Sequence, residues 1–114
     1  MGIIYTKKHD KIIASGIEAI SKVLLGRDIT EKESLLLCLD KYFDPYFKYD
    51  LATKDEIISL VQRVVIDKNS DECKDEALHL LSEYAYPPFK ILEENIDKID
   101  PKFLPDVKHI LKPN

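Results

Sequence analysis

The chain has 114 residues and a net charge of −4, and Asp, Glu, Lys and Arg make up 33% of it. Its length fits a single domain, and no run approaches the roughly 20 apolar residues that a membrane-spanning helix needs. Residues 28–76 hold 13 acidic and seven basic side chains, whereas residues 1–27 have a balance of +3. An acidic middle argues against direct nucleic-acid binding, which needs a basic surface. It favours a basic protein as the partner.

The cysteines and the N-terminal sequence indicate the cellular compartment of the protein. Cys38 and Cys73 form neither a C-x-x-C motif nor a Cys/His cluster. Each falls in an apolar helical pattern, which favours buried free thiols, although a disulfide between them stays open. No signal peptide is evident, because the short apolar run at residues 3–5 is followed at once by charged side chains. We therefore expect a cytoplasmic protein.

The first half of the chain predicts two helices. Apolar residues at helical spacing predict a first helix from about Thr6 or Asp10 to Leu25. Thr30–Glu33 has the pattern of a capping box and predicts the start of a second helix. That helix should end near Phe43, because the next residue precedes a proline and is excluded from the α region.

The second half of the chain predicts two longer helices and two short ones. Thr53–Glu56 repeats the capping-box pattern and opens a third helix, and a fourth begins after Ser70 or Asp71 and ends before Pro87. A fifth helix is expected at about 88–96 and a sixth from Pro105 to about 112. We therefore predict one domain, residues 1–114, with hairpins at about 6–49, 53–86 and 88–112.

An internal repeat relates the second predicted helix to the fourth at an offset of 42 residues. The identical pairs are Lys32/Lys74, Leu36/Leu78, Leu39/Leu81 and Tyr42/Tyr84. Such a period predicts an all-α fold, a short right-handed stack of antiparallel αα-hairpins with five or six helices. One core should contain Leu36, Leu39, Val61, Val64, Leu78 and Leu81.

The period, the hairpin shape and the capping resemble HEAT-type α-solenoid repeats, which run roughly 40–47 residues. That resemblance implies a protein-binding face lined by the second helix of each hairpin. The small size, acidic charge and helical make-up also resemble the immunity proteins of bacterial contact-dependent or polymorphic toxin systems. This second resemblance implies a monomer that binds a basic toxin domain, such as a nuclease, in a 1:1 complex.

The residues predicted to bind the partner lie on the polar face of the second and fourth helices and in the aromatic-acidic segment that follows the second. An exposed tyrosine beside carboxylates is typical of protein-binding surfaces. The alternatives are an ordinary solvated face and an aromatic corner that packs between hairpins. The predicted partner-binding residues are Asp40, Asp44, Tyr46, Tyr49, Asp75, His79, Glu83 and Tyr86.

No pattern in the sequence points to catalysis. Glu76 and His79 have the i, i+3 spacing of a metal-ligand pair, and Asp106 and His109 repeat it loosely. His79 falls on the polar phase of its helix, however, so we expect no metal and no cofactor. Phosphate-binding loops, H-E-x-x-H and G-x-S-x-G are all missing. We expect a non-enzymatic inhibitor of a toxin. The alternative is a small HEAT-like adaptor or scaffold module in a larger assembly.

Overall fold

A computed structural model of the chain describes residues 7–44, 53–68 and 71–111. All the regular structure in these ranges is helical, which confirms the predicted all-α class. None of the helices described is long and apolar enough to cross a bilayer. Two 3₁₀ turns, at Asp71–Cys73 and Ile96–Lys98, accompany the helices. The α-helices are α1 (Lys7–Ser15), α2 (Ile17–Leu24), α3 (Ile29–Phe43), α4 (Lys54–Ile66), α5 (Lys74–Tyr84), α6 (Lys90–Glu94) and α7 (Leu104–Leu111).

Gly16 divides the predicted first helix into α1 and α2, so the described residues hold seven helices where five or six were expected. Its backbone has φ 108°, a left-handed conformation that costs glycine little and other residues more. The prediction of one continuous helix to Leu25 was therefore wrong. The apolar residues keep helical spacing on both sides of Gly16. The spacing therefore gives no indication that the backbone changes direction there.

Helix capping differs from the sequence prediction. Asp28 caps α3, and its carboxylate accepts a hydrogen bond from the Glu31 amide at 3.1 Å. Thr30, the predicted cap, lies inside the first turn, because a residue two positions earlier already supplies an acceptor. Thr53 does occupy the N-cap of α4, but its side chain makes no capping hydrogen bond. The two capping boxes therefore indicate where helices begin but not which groups cap them.

The short helix α6 is held by a buried glutamine on α4. The Gln62 side-chain oxygen accepts hydrogen bonds from the amides of Ile91 and Leu92, at 3.1 and 3.3 Å. These amides lie in the first turn of α6, where no backbone carbonyl is available to them. The helix covers only residues 90–94 of the predicted 88–96, and the 3₁₀ turn continues it.

The helices are stacked in two layers. In the first layer α1, α3, α5 and α7 contact one another in that order, and in the second layer α2, α4 and α6 do the same. Contacts between α2 and α3 and between α4 and α5 join the layers. The helices α3 and α5, each predicted as the second helix of a hairpin, therefore lie side by side, and α1, part of the predicted first helix, lies in the same layer.

Burial follows the phase of the internal repeat. The predicted core residues Leu36, Leu39, Val61, Val64, Leu78 and Leu81 are all buried and belong to one apolar cluster. The matched lysines, Lys32 and Lys74, are buried as well. The ammonium group of Lys32 lies 3.2 Å from the Asp67 carboxylate, and that of Lys74 lies 2.8 Å from Asp71. Each buried lysine is therefore paired with a partly exposed aspartate, since a buried charge requires a counter-charge.

Replacing Leu81 with alanine tests the repeat phase. Leu81 is fully buried, so Leu81→Ala should lower the free energy of unfolding by about 2–5 kcal/mol, measured by chemical denaturation. The exposed His79 on the same helix is the matched control, and His79→Ala should change stability by about 0.5 kcal/mol or less. A loss below about 1 kcal/mol for Leu81→Ala would contradict its place in the core.

Candidate protein-binding site

The candidate site lies along α3 and α5, which are neighbours in the first layer. The two helices carry most of the residues that were predicted to bind a partner, and the 3₁₀ turn before α5 adds one more carboxylate. We call this surface the α3–α5 face. Its residues are Glu33, Asp40, Asp44, Glu72, Asp75, Glu76, His79, Glu83 and Tyr86.

At one end of the face, Tyr84 joins α5 to α3. Its hydroxyl donates a hydrogen bond to a carboxylate oxygen of Asp40. The His79 imidazole lies 3.8 Å from the other Asp40 oxygen, which is too far for a hydrogen bond. Asp40 was predicted as a surface charge for a partner, but here its carboxylate also holds two helices together. We call the hydrogen bond between Tyr84 and Asp40 the second Tyr–Asp contact, because an equivalent bond between Tyr42 and Asp10, described below, comes first in the chain.

The surroundings of the second Tyr–Asp contact are strongly negative. The hydrogen bond to Asp40 raises the pKa of the Tyr84 hydroxyl well above its usual value, and burial adds to this effect. The charges of Asp40, Asp44 and Glu83 raise it further, because a phenolate beside carboxylates is repelled. Three of the predicted acidic residues therefore converge on one phenol.

The other end of the face holds a second group of acidic side chains. Burial raises the pKa of Glu33, and the charges of Glu76 and Glu72 raise it further. Within residues 7–44, 53–68 and 71–111, no lysine or arginine forms an ion pair with any of these three glutamates. Like charges held close together lower the stability of the fold. A cationic partner would offset that repulsion.

Tyr86 gives the face an exposed aromatic residue. It follows α5 and is 85% exposed, which is unusual for a side chain of this size. A groove of about 400 Å³ borders it on the side of α4, and a smaller one of about 180 Å³ borders it on the side of α7. A rigid aromatic ring beside grooves is suited to anchoring a partner protein.

The remaining predicted residues have different positions. Asp75 and His79 are exposed and line a shallow pocket of about 230 Å³ with residues of α7, including Asp106 and His109. Across the described part of the chain, no group of three or more His, Cys, Asp or Glu side chains could hold a metal ion. The predicted residues Tyr46 and Tyr49 lie outside the described residues.

Sequence reasoning missed a related contact at the other end of the first layer. One oxygen of the Asp10 carboxylate accepts hydrogen bonds from the Lys41 ammonium at 2.7 Å and from the Tyr42 hydroxyl at 2.9 Å. These bonds lower the pKa of Asp10, whereas burial and the Asp10 carboxylate raise the pKa of Tyr42 to about 12. We call this the first Tyr–Asp contact. Tyr42 and Tyr84 occupy matching positions of the repeat. The presence of tyrosine at both positions was the sequence signal for the first Tyr–Asp contact.

A buried histidine further fastens α1 to α3. His9 is 5% exposed, and its Nε2 atom lies 2.6 Å from a carboxylate oxygen of Glu31. Lys8 also forms an ion pair with Glu31. The Lys8 and His9 hydrogen bonds lower the pKa of the Glu31 carboxyl. Lys8 and His9 of α1 therefore both contact a single acid on α3, Glu31.

Both cysteines are buried free thiols, which confirms the expectation from the sequence. Burial raises the pKa of Cys38 and of Cys73 to about 12. The thiolate is the nucleophilic form of cysteine, so both side chains are disfavoured as nucleophiles at neutral pH.

Comparison of the chain with protein-family models, with curated proteins and with solved structures finds no match in any of the three.

Replacing Asp10 with asparagine tests the first Tyr–Asp contact. The folded state lowers the pKa of Asp10, so its carboxylate stabilises the fold above the ordinary pKa of about 4. That stabilisation is lost as the pH falls through the lowered pKa. Asp10→Asn should therefore be less stable than the parent at neutral pH, and the difference should shrink in acid. Thermal denaturation across this pH range, with the exposed Asp97→Asn as control, measures the effect. A difference that is independent of pH would contradict the assignment.

Proposed function

We propose that the chain is a non-enzymatic, protein-binding inhibitor that neutralises a basic toxin domain through the α3–α5 face. The observation that carries the proposal is the grouping of Glu33, Glu72 and Glu76, where burial raises the pKa of Glu33 and the charges of Glu76 and Glu72 raise it further. A surface that needed acids only for solubility would space them apart. Crowded glutamates lower the stability of the chain on its own, and their repulsion is relieved when a cationic surface covers them.

The charge distribution supports a basic partner. The Tyr84 end of the face holds Asp40, Asp44 and Glu83, and the other end holds the crowded glutamates. Lys8 and His9 of α1 contact Glu31, which is not one of the residues of the α3–α5 face. Complementary potentials of this kind steer two proteins together and increase the rate of association.

A nuclease domain is the toxin class that suits the α3–α5 face best. An enzyme that acts on nucleic acid presents basic side chains to the phosphate backbone. A row of carboxylates on a rigid pair of helices can occupy such a surface in place of the polyanion. Inhibition would then need no chemistry from the inhibitor, only a tight 1:1 complex in which Tyr86 serves as an aromatic anchor.

The alternative function, a scaffold module, rests on a different surface. A groove of about 520 Å³ lies between α2 and α4 in the second layer, with Ile17 and Leu60 among its lining residues. An adaptor would use this groove as well as the α3–α5 face, and would therefore contact two proteins at once. An inhibitor needs only one face.

Removing the crowded charges tests the proposal. We expect the triple variant Glu33→Gln, Glu72→Gln, Glu76→Gln to be more stable than the parent, because the repulsion is relieved. It should also bind the partner more weakly, with the larger loss at low salt, because exposed charges are screened by ions. The matched control replaces Glu18, Glu56 and Glu93 with glutamine, since these exposed side chains carry the same charge in the second layer. Asp40 is left unchanged, because its substitution would break the bond to Tyr84.

The partner is obtained by affinity capture from the native host, with the parent, the triple variant and the control used side by side. Calorimetry at two salt concentrations then measures affinity, and growth rescue on co-expression measures protection. We expect a basic, growth-inhibiting protein that the parent and the control bind and neutralise and that the triple variant does not. If the triple variant binds and protects as well as the parent, the α3–α5 face is only a solvated surface. Capture of two proteins at once would favour the scaffold module.

A further inference from the structure

The two Tyr–Asp contacts are equivalent positions of the repeat but carry different charges. In the first contact, the tyrosine hydroxyl and the Lys41 ammonium share one oxygen of Asp10, at 2.9 and 2.7 Å. The same ammonium lies 5.0 Å from the centroid of the Tyr42 ring. Lys41 therefore makes both a charge-assisted hydrogen bond and a cation–π contact. The first contact contains its own cation.

The second contact has an acid in the corresponding position. The offset of 42 residues that matches Tyr42 with Tyr84 also matches Lys41 with Glu83. The residue before the tyrosine is thus a glutamate, and the Asp40 carboxylate receives no lysine from the described residues of the chain. His79 is the nearest basic side chain recorded there, and at 3.8 Å it makes no hydrogen bond to Asp40.

We propose that a lysine or arginine side chain of the partner docks between Asp40 and Glu83, in the position that the Lys41 ammonium occupies beside Asp10. The proposal rests on the proposed function and specifies where that partner is held. The incoming cation would bond to Asp40 and lie beside the Tyr84 ring. A guanidinium could donate to both carboxylates, since its fork of N–H groups matches such geometry.

The second contact is open to such a side chain. The Asp40 side chain is 38% exposed, close to the 33% of Asp10, but Glu83 is exposed and lies where the first contact has Lys41, whose side chain is only 22% exposed. Tyr86, at 85% exposure, lies two residues beyond Tyr84 and beside the same end of α5. The Asp40 carboxylate is already oriented by the Tyr84 hydroxyl. An oriented carboxylate loses little freedom when it binds a cation.

The test restores the missing lysine. Glu83→Lys should copy the first contact, with the new ammonium beside Asp40, and so raise the denaturation midpoint of the chain. The same substitution should weaken binding of a fluorescently labelled oligolysine peptide on the order of tenfold at low salt, measured by anisotropy. Glu93→Lys, an exposed position on α6, changes the net charge equally and is the matched control. Glu83→Gln, which adds no new side-chain charge, should give a smaller loss of peptide binding without a rise in stability.

The outcomes separate this inference from the proposed function. Loss of peptide binding in Glu83→Lys but not in Glu93→Lys, together with the raised midpoint, supports a docked cation at the second contact. Equal losses in the two lysine variants, or none in either, would overturn the inference, because binding would then not depend on this position. The glutamine triple variant of the crowded glutamates tests the proposed function independently. Its failure to weaken binding of the native partner would overturn that function instead.

Discussion

The hydrogen bonds from Tyr42 to Asp10 and from Tyr84 to Asp40 fix how the helices of the first layer lie against one another. Each bond joins two helices at the polar edge of the layer, while Leu39 and Leu81 one turn earlier pack in the core. The apolar contacts alone would tolerate some sliding of one helix along the next. A buried or half-buried phenol that must reach a particular carboxylate removes that freedom, because an unsatisfied partner costs free energy. The Asp40 carboxylate of the α3–α5 face is therefore held in a fixed orientation by Tyr84.

The two Tyr–Asp contacts also differ in charge: the first, between α1 and α3, includes a lysine, whereas the second, between α3 and α5, does not. Lys41 pairs with Asp10 at the first contact, and Lys8 pairs with Glu31 on α3, so the charges between α1 and α3 are internally paired. At the second contact the repeat has a glutamate where the first has a lysine, and the crowded glutamates extend the negative charge along the same helices. If a basic partner binds as we propose, stability and partner binding make opposite demands on α3 and α5.

The sequence predicted the parts of the fold that depend on apolar periodicity. The phase of the repeat identified the buried leucines and valines, and proline and glycine located most helix ends. It could not predict the break at Gly16, because the apolar spacing continues through it. It identified Lys32 and Lys74 as a matched pair but not as buried, since their burial depends on Asp67 and Asp71 nearby. The exposure of Asp75, Glu83 and Tyr86 followed from their positions off the apolar phase, and their role in partner binding stays a prediction. The sequence did not predict that Asp40 accepts a hydrogen bond from Tyr84. The two residues are 44 positions apart, and such a bond leaves no local pattern in the sequence.

If the proposed function holds, a basic partner contacts the α3–α5 face and not the second layer. Carbodiimide cross-linking of the complex tests this most directly, because it joins a carboxylate only to a lysine amine with which it is in contact. Mass spectrometry of the digested product then identifies the carboxylates involved. We expect cross-links from partner lysines to Asp40, Glu76 and Glu83. Cross-links confined to Glu18, Glu56 and Glu93 would contradict it and would place the partner on the second layer instead.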